Sequence, residues 1–390
     1  MSEKGIAFPL VLIMAVATGL AVASNYYAQP LLPTMARAFG VTPARAGLVV
    51  TTAQVGYGLG LLLVVPLGDL VERRGLVLGM SLLTAAGLVI TALAPTMTMV
   101  LAGTALTGLC SVVAQVLVPF AATLARPEQR GKVVGTVMSG LLLGILLART
   151  VAGALADLGS WRTIYWVGAG AMLASTLVLR WALPRYQHSL GLSYLQLMRS
   201  ILTLFREEPV LRLRALLGAS IFGAFATLWT SLSFLLASPP YGYSAGAIGL
   251  FGLAGLAGAL AASGAGRLGD RGLGRQATGW GLVLLLLSWG VLALARHSLA
   301  GIVLGVLLLD LAVQDIHISN QSALYRIRPE ARNRLTAAYM TCYFMGGALC
   351  SLLSATAYAR VGWAGVSAVG AGVSAIGLAG WVMAWRSGTA

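Results

Sequence analysis

Arg126-Pro127-Glu128-Gln129-Arg130 recurs 202 residues later as Arg328-Pro329-Glu330-Ala331-Arg332. At the same offset Gly144 matches Gly346 and Trp161 matches Trp363, while Asp69 matches Asp270 at an offset of 201. A charged pentapeptide does not repeat by chance in a chain with only 9% charged residues, so the sequence reads as two similar halves in tandem.

What each half contains follows from composition. The 390 residues are 58% hydrophobic, whereas a soluble protein carries about 25% charged residues. So few charges cannot clothe a water-facing surface, and so apolar a chain is not disordered. Segments long enough to cross a bilayer core, about 20 apolar residues each, run near 7–34, 45–66, 76–95, 98–124, 132–156, 163–183, 211–237, 245–265, 278–296, 299–325, 334–358 and 363–385. The expected fold is all-α and membrane-embedded: twelve transmembrane helices as two six-helix bundles related by the repeat. The bundles span 1–183 and 211–390, joined by a linker over 184–210. Within the linker, Ser193 and Gln196 form a capping box. Leu195, Met198, Ile201, Leu202 and Phe205 make an apolar stripe, which predicts a short amphipathic helix on the membrane surface.

Of the 26 lysines and arginines, 20 fall at the termini and even-to-odd loops, five on the opposite side, and Arg149 lies inside the fifth span. That asymmetry predicts both termini in the cytoplasm of a multi-pass cell-membrane protein, a bacterial inner membrane being expected. The net charge of +15 therefore reports orientation, and no nucleic-acid partner is expected. Cys110, Cys342 and Cys350 lie in apolar segments without metal-ligand spacing. Met340, Cys342 and Met345 do not share a helix face, so no metal and no cofactor are expected. The apolar run from Ile6 reads as the first helix and not as a cleaved leader.

Over nearly its whole length the sequence resembles the major facilitator superfamily. That family carries G-x-L-x-D-R-x-G-R-R after its second and eighth helices. Gly266-Arg267-Leu268-Gly269-Asp270-Arg271-Gly272-Leu273-Gly274-Arg275 matches with one extra residue. Val65-Pro66-Leu67-Gly68-Asp69-Leu70-Val71-Glu72-Arg73-Arg74-Gly75 keeps the acid, the basic pair and the last glycine. The resemblance implies a cytoplasmic conformational latch of Asp69 with Arg73 or Arg74, and of Asp270 with Arg271. The family's antiporters carry G-x3-G-x3-G-P-x2-G-G in helix 5. Here Gly140, Gly144, Ala148-Arg149 and Ala152-Gly153 keep the small-residue spacing, but a charge replaces the proline. Thr104 stands where many proton antiporters of the family place an arginine.

An ionisable side chain inside a membrane span costs about 2.5–3.5 kcal/mol on insertion scales and points to function. Arg149, Asp310, Asp315 and His317 are the expected cases. At about 100° per residue, Asp310, Gln314, His317 and Gln321 lie near one line of the tenth span, flanked by Asn320, while Asp315 points away. In the family the first, fourth, seventh and tenth helices line the cavity. His317 and Asp310 are groups able to carry protons, and Arg149 lies within about 5 Å of the depth of Asp310. Arg149 and Asp310 are thus candidates for a charge pair in at least one state. The competing readings are a purely structural polar network, and an Arg149 that binds an anionic group of the solute. Candidate solute contacts are Asn25, Tyr26 and Gln29 on the first span and Gln54 and Tyr57 on the second. Gln115, Arg149 and Trp229 supply others, with Gln314, His317 and Asn320 on the tenth span and Tyr343 on the eleventh.

These features predict a monomeric secondary active transporter, of the drug- or metabolite-efflux type, moving a small organic solute by alternating access with the proton as coupling ion. The alternative is an importer or uniporter of a small metabolite, anionic ones included. No catalytic constellation is visible, so an enzyme is not expected.

Overall fold

A computed structural model describes residues 6–187, 193–255, 274–328 and 331–387. Among these residues the secondary structure is entirely helical. Before the linker run α1 (Phe8–Ala23), α2 (Leu32–Phe39), α3 (Pro43–Leu63), α4 (Arg73–Leu93), α5 (Met97–Cys110), α6 (Val113–Leu124), α7 (Arg130–Leu158) and α8 (Thr163–Ala182). The linker holds α9 (Tyr194–Glu207), and α10 (Pro209–Ala237), α11 (Ala245–Leu250), α12 (Gly274–Leu294), α13 (Leu299–Ile327), α14 (Arg332–Val361) and α15 (Trp363–Arg386) follow. Among the described residues ten helical stretches are long and apolar enough to cross a membrane. Of the other two expected spans, 7–34 is broken into shorter pieces and 245–265 is described only to residue 255.

Helix starts follow local chemistry. Thr42 and Thr96 accept from the backbone N–H groups of Arg45 and Met99, and Glu72 accepts from Arg74 and Gly75. Two spans expected to be continuous are interrupted. α1 ends at Ala23, and a turn, a 3₁₀ segment at Gln29–Leu31 and then α2 follow, with Pro30 and Pro33 unable to donate backbone hydrogen bonds. The fourth span breaks between Cys110 and Val113. The breaks meet: Asn25 Nδ2 donates to Ser111 Oγ over 2.6 Å. Irregular backbone at membrane depth is tolerated where it is buried in protein, and Asn25 and Ser111 are both buried.

The linker helix forms with both arms of its capping box, but its buried face differs from expectation. Leu197, Ile201 and Leu204 are buried, with Met198 and Phe205 packed beside them, while Leu195 and Leu202 are exposed. The helix packs against the ends of α10 and α14, so bundle contact chooses the face. Arg328 binds Glu207 and Glu208 at 3.3 and 2.7 Å, fastening it further.

Among the described residues the two groups of helices meet chiefly along two seams, α3 against α14 and α7 against α11. The first includes Thr51 Oγ1 donating to Ser351 Oγ at 3.3 Å, and Gly47 facing Ala355. α7 also crosses α1 closely: a Cβ on Gly140 would meet the backbone of Ala15, and one on Gly144 the backbone of Gly19. Gly135, on the same helix, faces open space. We expect Gly144→Ala to cost about 1–3 kcal/mol through overpacking and to lower the melting temperature in detergent. Gly135→Ala should leave it within a degree or two or raise it.

Candidate functional site

A cavity of about 1140 Å³ lies between the two groups of helices. Its wall runs from Asp69, Arg73, Tyr325, Arg332 and Arg334, at the arginine-rich end, inward to Asn25, Tyr26, Arg149, Gly255 and Asp310. Of the expected site residues, Asn25, Tyr26, Tyr57, Gln115, Arg149, Asp310, Gln314, His317 and Tyr343 line it. Gln29, Gln54, Trp229 and Asn320 are buried behind that wall. The break after α1 turns Asn25 and Tyr26 to the cavity and Gln29 towards α7.

Arg149 is 3% exposed. Its Nε donates to Gln29 Oε1 over 2.5 Å, and its guanidinium carbon stands 4.0 Å from the Trp229 ring centre, 5.1 Å from Tyr26 and 5.4 Å from Phe225. A desolvated cation on an indole face gains about 2 kcal/mol. Nη2 has no partner. Asp310, 5% exposed, accepts from Trp229 Nε1–H at 3.4 Å. Arg149 and Asp310 form no ion pair in this conformation; the Trp229 indole touches both, the cation with its face and the carboxylate with its N–H. Sequence spacing brings the charges to one depth, but Trp229 decides how they communicate.

Phe222, Phe225 and Trp229 stand on one face of α10. Phe222 stacks on Tyr343 at 4.2 Å, so the aromatic wall reaches from Arg149 to α14. Beyond Tyr343, His317 Nδ1 lies 2.9 Å from the Tyr339 hydroxyl, and Gln321 Nε2 lies 3.1 Å from His317 Nε2. Behind them stands Arg214, which charge counting places with the loop residues. It is 6% exposed inside α10 and donates to Thr278 at 3.3 Å and to Asn320 at 3.2 Å. The expected span 211–237 already contains Arg214, and Pro209, at the first helical position, agrees with that start.

At the arginine-rich end Arg73 meets Asp69 at 3.4 Å and also donates to Gly68 O and Thr123 Oγ1 at 3.0 and 3.2 Å. Arg74 turns away to the carbonyl of Arg180. Among the described residues this cluster joins helices that precede the linker and shows no contact with the other bundle. Asp270 and Arg271, its expected counterparts, lie outside the described residues.

The opposite end is held across the bundles by Asp157, an acid that loop counting sets aside. Its Oδ2 accepts from Ser244 Oγ at 2.6 Å and from the Gly246 N–H at 3.0 Å, at the start of α11. Thr150 Oγ1 donates to Gly249 O at 3.0 Å one turn further in. Small residues allow this approach: a Cβ on Gly153 would meet Ala245, and one on Gly249 the backbone of Arg149.

A family model described as the Major Facilitator Superfamily matches residues 14–324. The chain is 56% identical over 377 residues to the "Putative uncharacterized transporter YgaY" of Escherichia coli (strain K12), covering 97% of this chain and 95% of that one. It is 35% identical over 359 residues to the "Probable transporter SCO4007" of Streptomyces coelicolor, covering 92% and 83%. Its fold matches the crystal structure of a bacterial homolog to the human lysosomal transporter Spinster, in an inward-facing and occupied conformation. The TM-score is 0.79 at 13% identity, over 97% of this chain and 96% of that one. It also matches nucleoside transporter NupG (D323A mutant), with a TM-score of 0.76 at 15% identity over 96% and 99%.

The Asp157 contact makes a prediction about the closed end. With the three native cysteines replaced by alanine, a cysteine at buried Ile248 should react slowly with a membrane-impermeant maleimide. Adding Asp157→Ala should speed labelling several-fold, since losing a cap costs about 1 kcal/mol.

Proposed function

The chain belongs to the major facilitator superfamily, and from that premise we propose a proton-coupled efflux of a small organic solute by alternating access. It is a multi-pass membrane secondary transporter and not an enzyme. The finer reading places both termini in the cytoplasm, in a bacterial inner membrane, on the excess of positive charge at one end. The cavity then opens to the cytoplasm, and the Asp157 seam closes the far side. The transporter works as a monomer in this reading.

The observation that carries the proposal is the unit Arg149–Trp229–Asp310, which joins one bundle to the other at the inner limit of the cavity. While Asp310 is charged, it balances the buried guanidinium across a low-dielectric gap. A proton on Asp310 removes that balance and weakens the cross-bundle contact, so proton binding favours separation of the bundles at this end. Rocking about a central site then exchanges access. Asp69 with Arg73 serves as a latch for the opposite end, Asp270 and Arg271 being its counterpart in the repeat. A second reading has support from the unpartnered Arg149 Nη2: the guanidinium binds an anionic group of the solute, and import or uniport needs no proton.

Proteoliposomes loaded with a pH-sensitive dye test both readings against a panel of cationic, neutral and anionic compounds. The wild type should show solute-driven proton movement. Asp310→Asn should abolish it by at least tenfold while still exchanging solute. Proton movement that persists in Asp310→Asn overturns the coupling assignment. A response confined to anions favours the second reading. If Arg149 and Asp310 act as one unit, the double alanine variant should recover activity over either single change; a double variant no more active than the singles removes support for the unit.

A further inference from the structure

Arg214, Asn320, Tyr339, His317 and Gln321 form one hydrogen-bonded chain from the interior of the second bundle to the cavity wall. The direction of every bond in it follows from one end. A guanidinium has five N–H donors and no acceptor, and it stays protonated. The atom of Asn320 facing Arg214 is therefore its oxygen, Oδ1, at 3.2 Å. That orientation turns Asn320 Nδ2 to the Tyr339 hydroxyl, 3.4 Å away, and the amide donates to it. A hydroxyl oxygen can accept twice, but its own proton also needs an acceptor; Tyr339 is fully buried, and among the described residues that acceptor is His317 Nδ1, 2.9 Å away. Nδ1 accepts, so the imidazole proton sits on Nε2. Arg214, Asn320 and Tyr339 are 6%, 0% and 0% exposed, so bulk water does not compete for these bonds.

The chain then meets a conflict at its open end. Gln321 Nε2 is the atom 3.1 Å from His317 Nε2, but two N–H groups cannot donate to each other. A side-chain amide exchanges its oxygen and nitrogen by a half-turn. Arg214 has no such freedom, so Gln321 is the member that turns, offering Oε1 to His317 Nε2–H. Its NH₂ then has no ring nitrogen to serve, and the residue lines the cavity.

We propose that Arg214 is a positioning residue that, through Asn320 and Tyr339, fixes His317 as the Nε2–H tautomer and makes Gln321 present N–H donors to the cavity. The solute group this end of the cavity takes is one that only accepts hydrogen bonds, a carboxylate serving as its probe. The solute class rests on the transporter reading; the tautomer does not.

The test reads the resting protein. With ¹⁵N-histidine labelling in lipid nanodiscs near neutral pH, His317→Gln identifies the His317 signals among those of His188 and His297. The wild type should show an unprotonated Nδ1 and a protonated Nε2. Tyr339→Phe and Arg214→Gln should bring the two nitrogens towards a common averaged shift, and Arg214→Lys, which also only donates, should restore the wild-type pattern. A protonated Nδ1 in the wild type overturns the proposal. So does a Tyr339→Phe protein whose His317 pattern is unchanged, and this variant removes one oxygen and serves if Arg214→Gln fails to fold. For the solute class, short-chain carboxylates and matched primary amines are compared as thermal stabilisers. Carboxylates should raise the melting temperature of the wild type by a few degrees and lose that effect in Gln321→Glu. Equal or greater stabilisation by amines, or none by carboxylates, overturns the solute class and leaves the tautomer result standing.

Discussion

A guanidinium buried at membrane depth is the constraint around which the rest of this molecule is arranged. Arg149 has exchanged water for one amide oxygen and three aromatic faces, and each partner places a demand on a different element. Gln29 reaches it because the chain breaks after Ala23. Phe225 and Trp229 reach it because α10 lies against the cavity with its aromatic face. α11 and the turn after it come close because they carry glycines: a Cβ on Gly252 would stand 3.1 Å from the Arg149 side chain, and one on Gly255 3.1 Å from Asp310. Helix break, aromatic stripe and glycine run thus answer one solvation problem.

Much of this was legible beforehand because it is written in local pattern. Most span lengths, the capping box at Ser193 and the polar line Asp310–Gln314–His317–Gln321 depend on spacing along one segment. What escaped depends on which segments meet. Nothing in the linker sequence says that Leu197 and Leu204 face inward while Leu195 and Leu202 do not; the ends of α10 and α14 decide that. Arg214 was counted with the loop cations although it lies inside the expected span 211–237, since counting charges near a span end does not see which side chains are buried. Arg149 and Asp310 were matched in depth, but helix geometry gives height and not what lies between two helices. Asp157 was passed over for the same reason: its partner starts 87 residues later.

The two halves of the cavity are held by different chemistry. Around Arg149 the contacts with Phe225 and Trp229 are cation to ring and cross from bundle to bundle. Around His317 they are directional hydrogen bonds inside one bundle, reaching back to Arg214. The first set must come apart for the bundles to separate, and the second can travel intact with its own helices. On the proposed mechanism the first set is a junction that yields, and the second a recognition surface that keeps its shape while the junction yields.

The seam between α7 and α11 has a further property. Where Gly153, Ala245, Gly246 and Gly249 meet, the touching surfaces are largely backbone. Glycine and alanine have no rotamers to lose on burial. Two such faces can part and return without sorting side chains into a shared arrangement, so closure at that end carries almost no memory of how long, or how widely, it stood open.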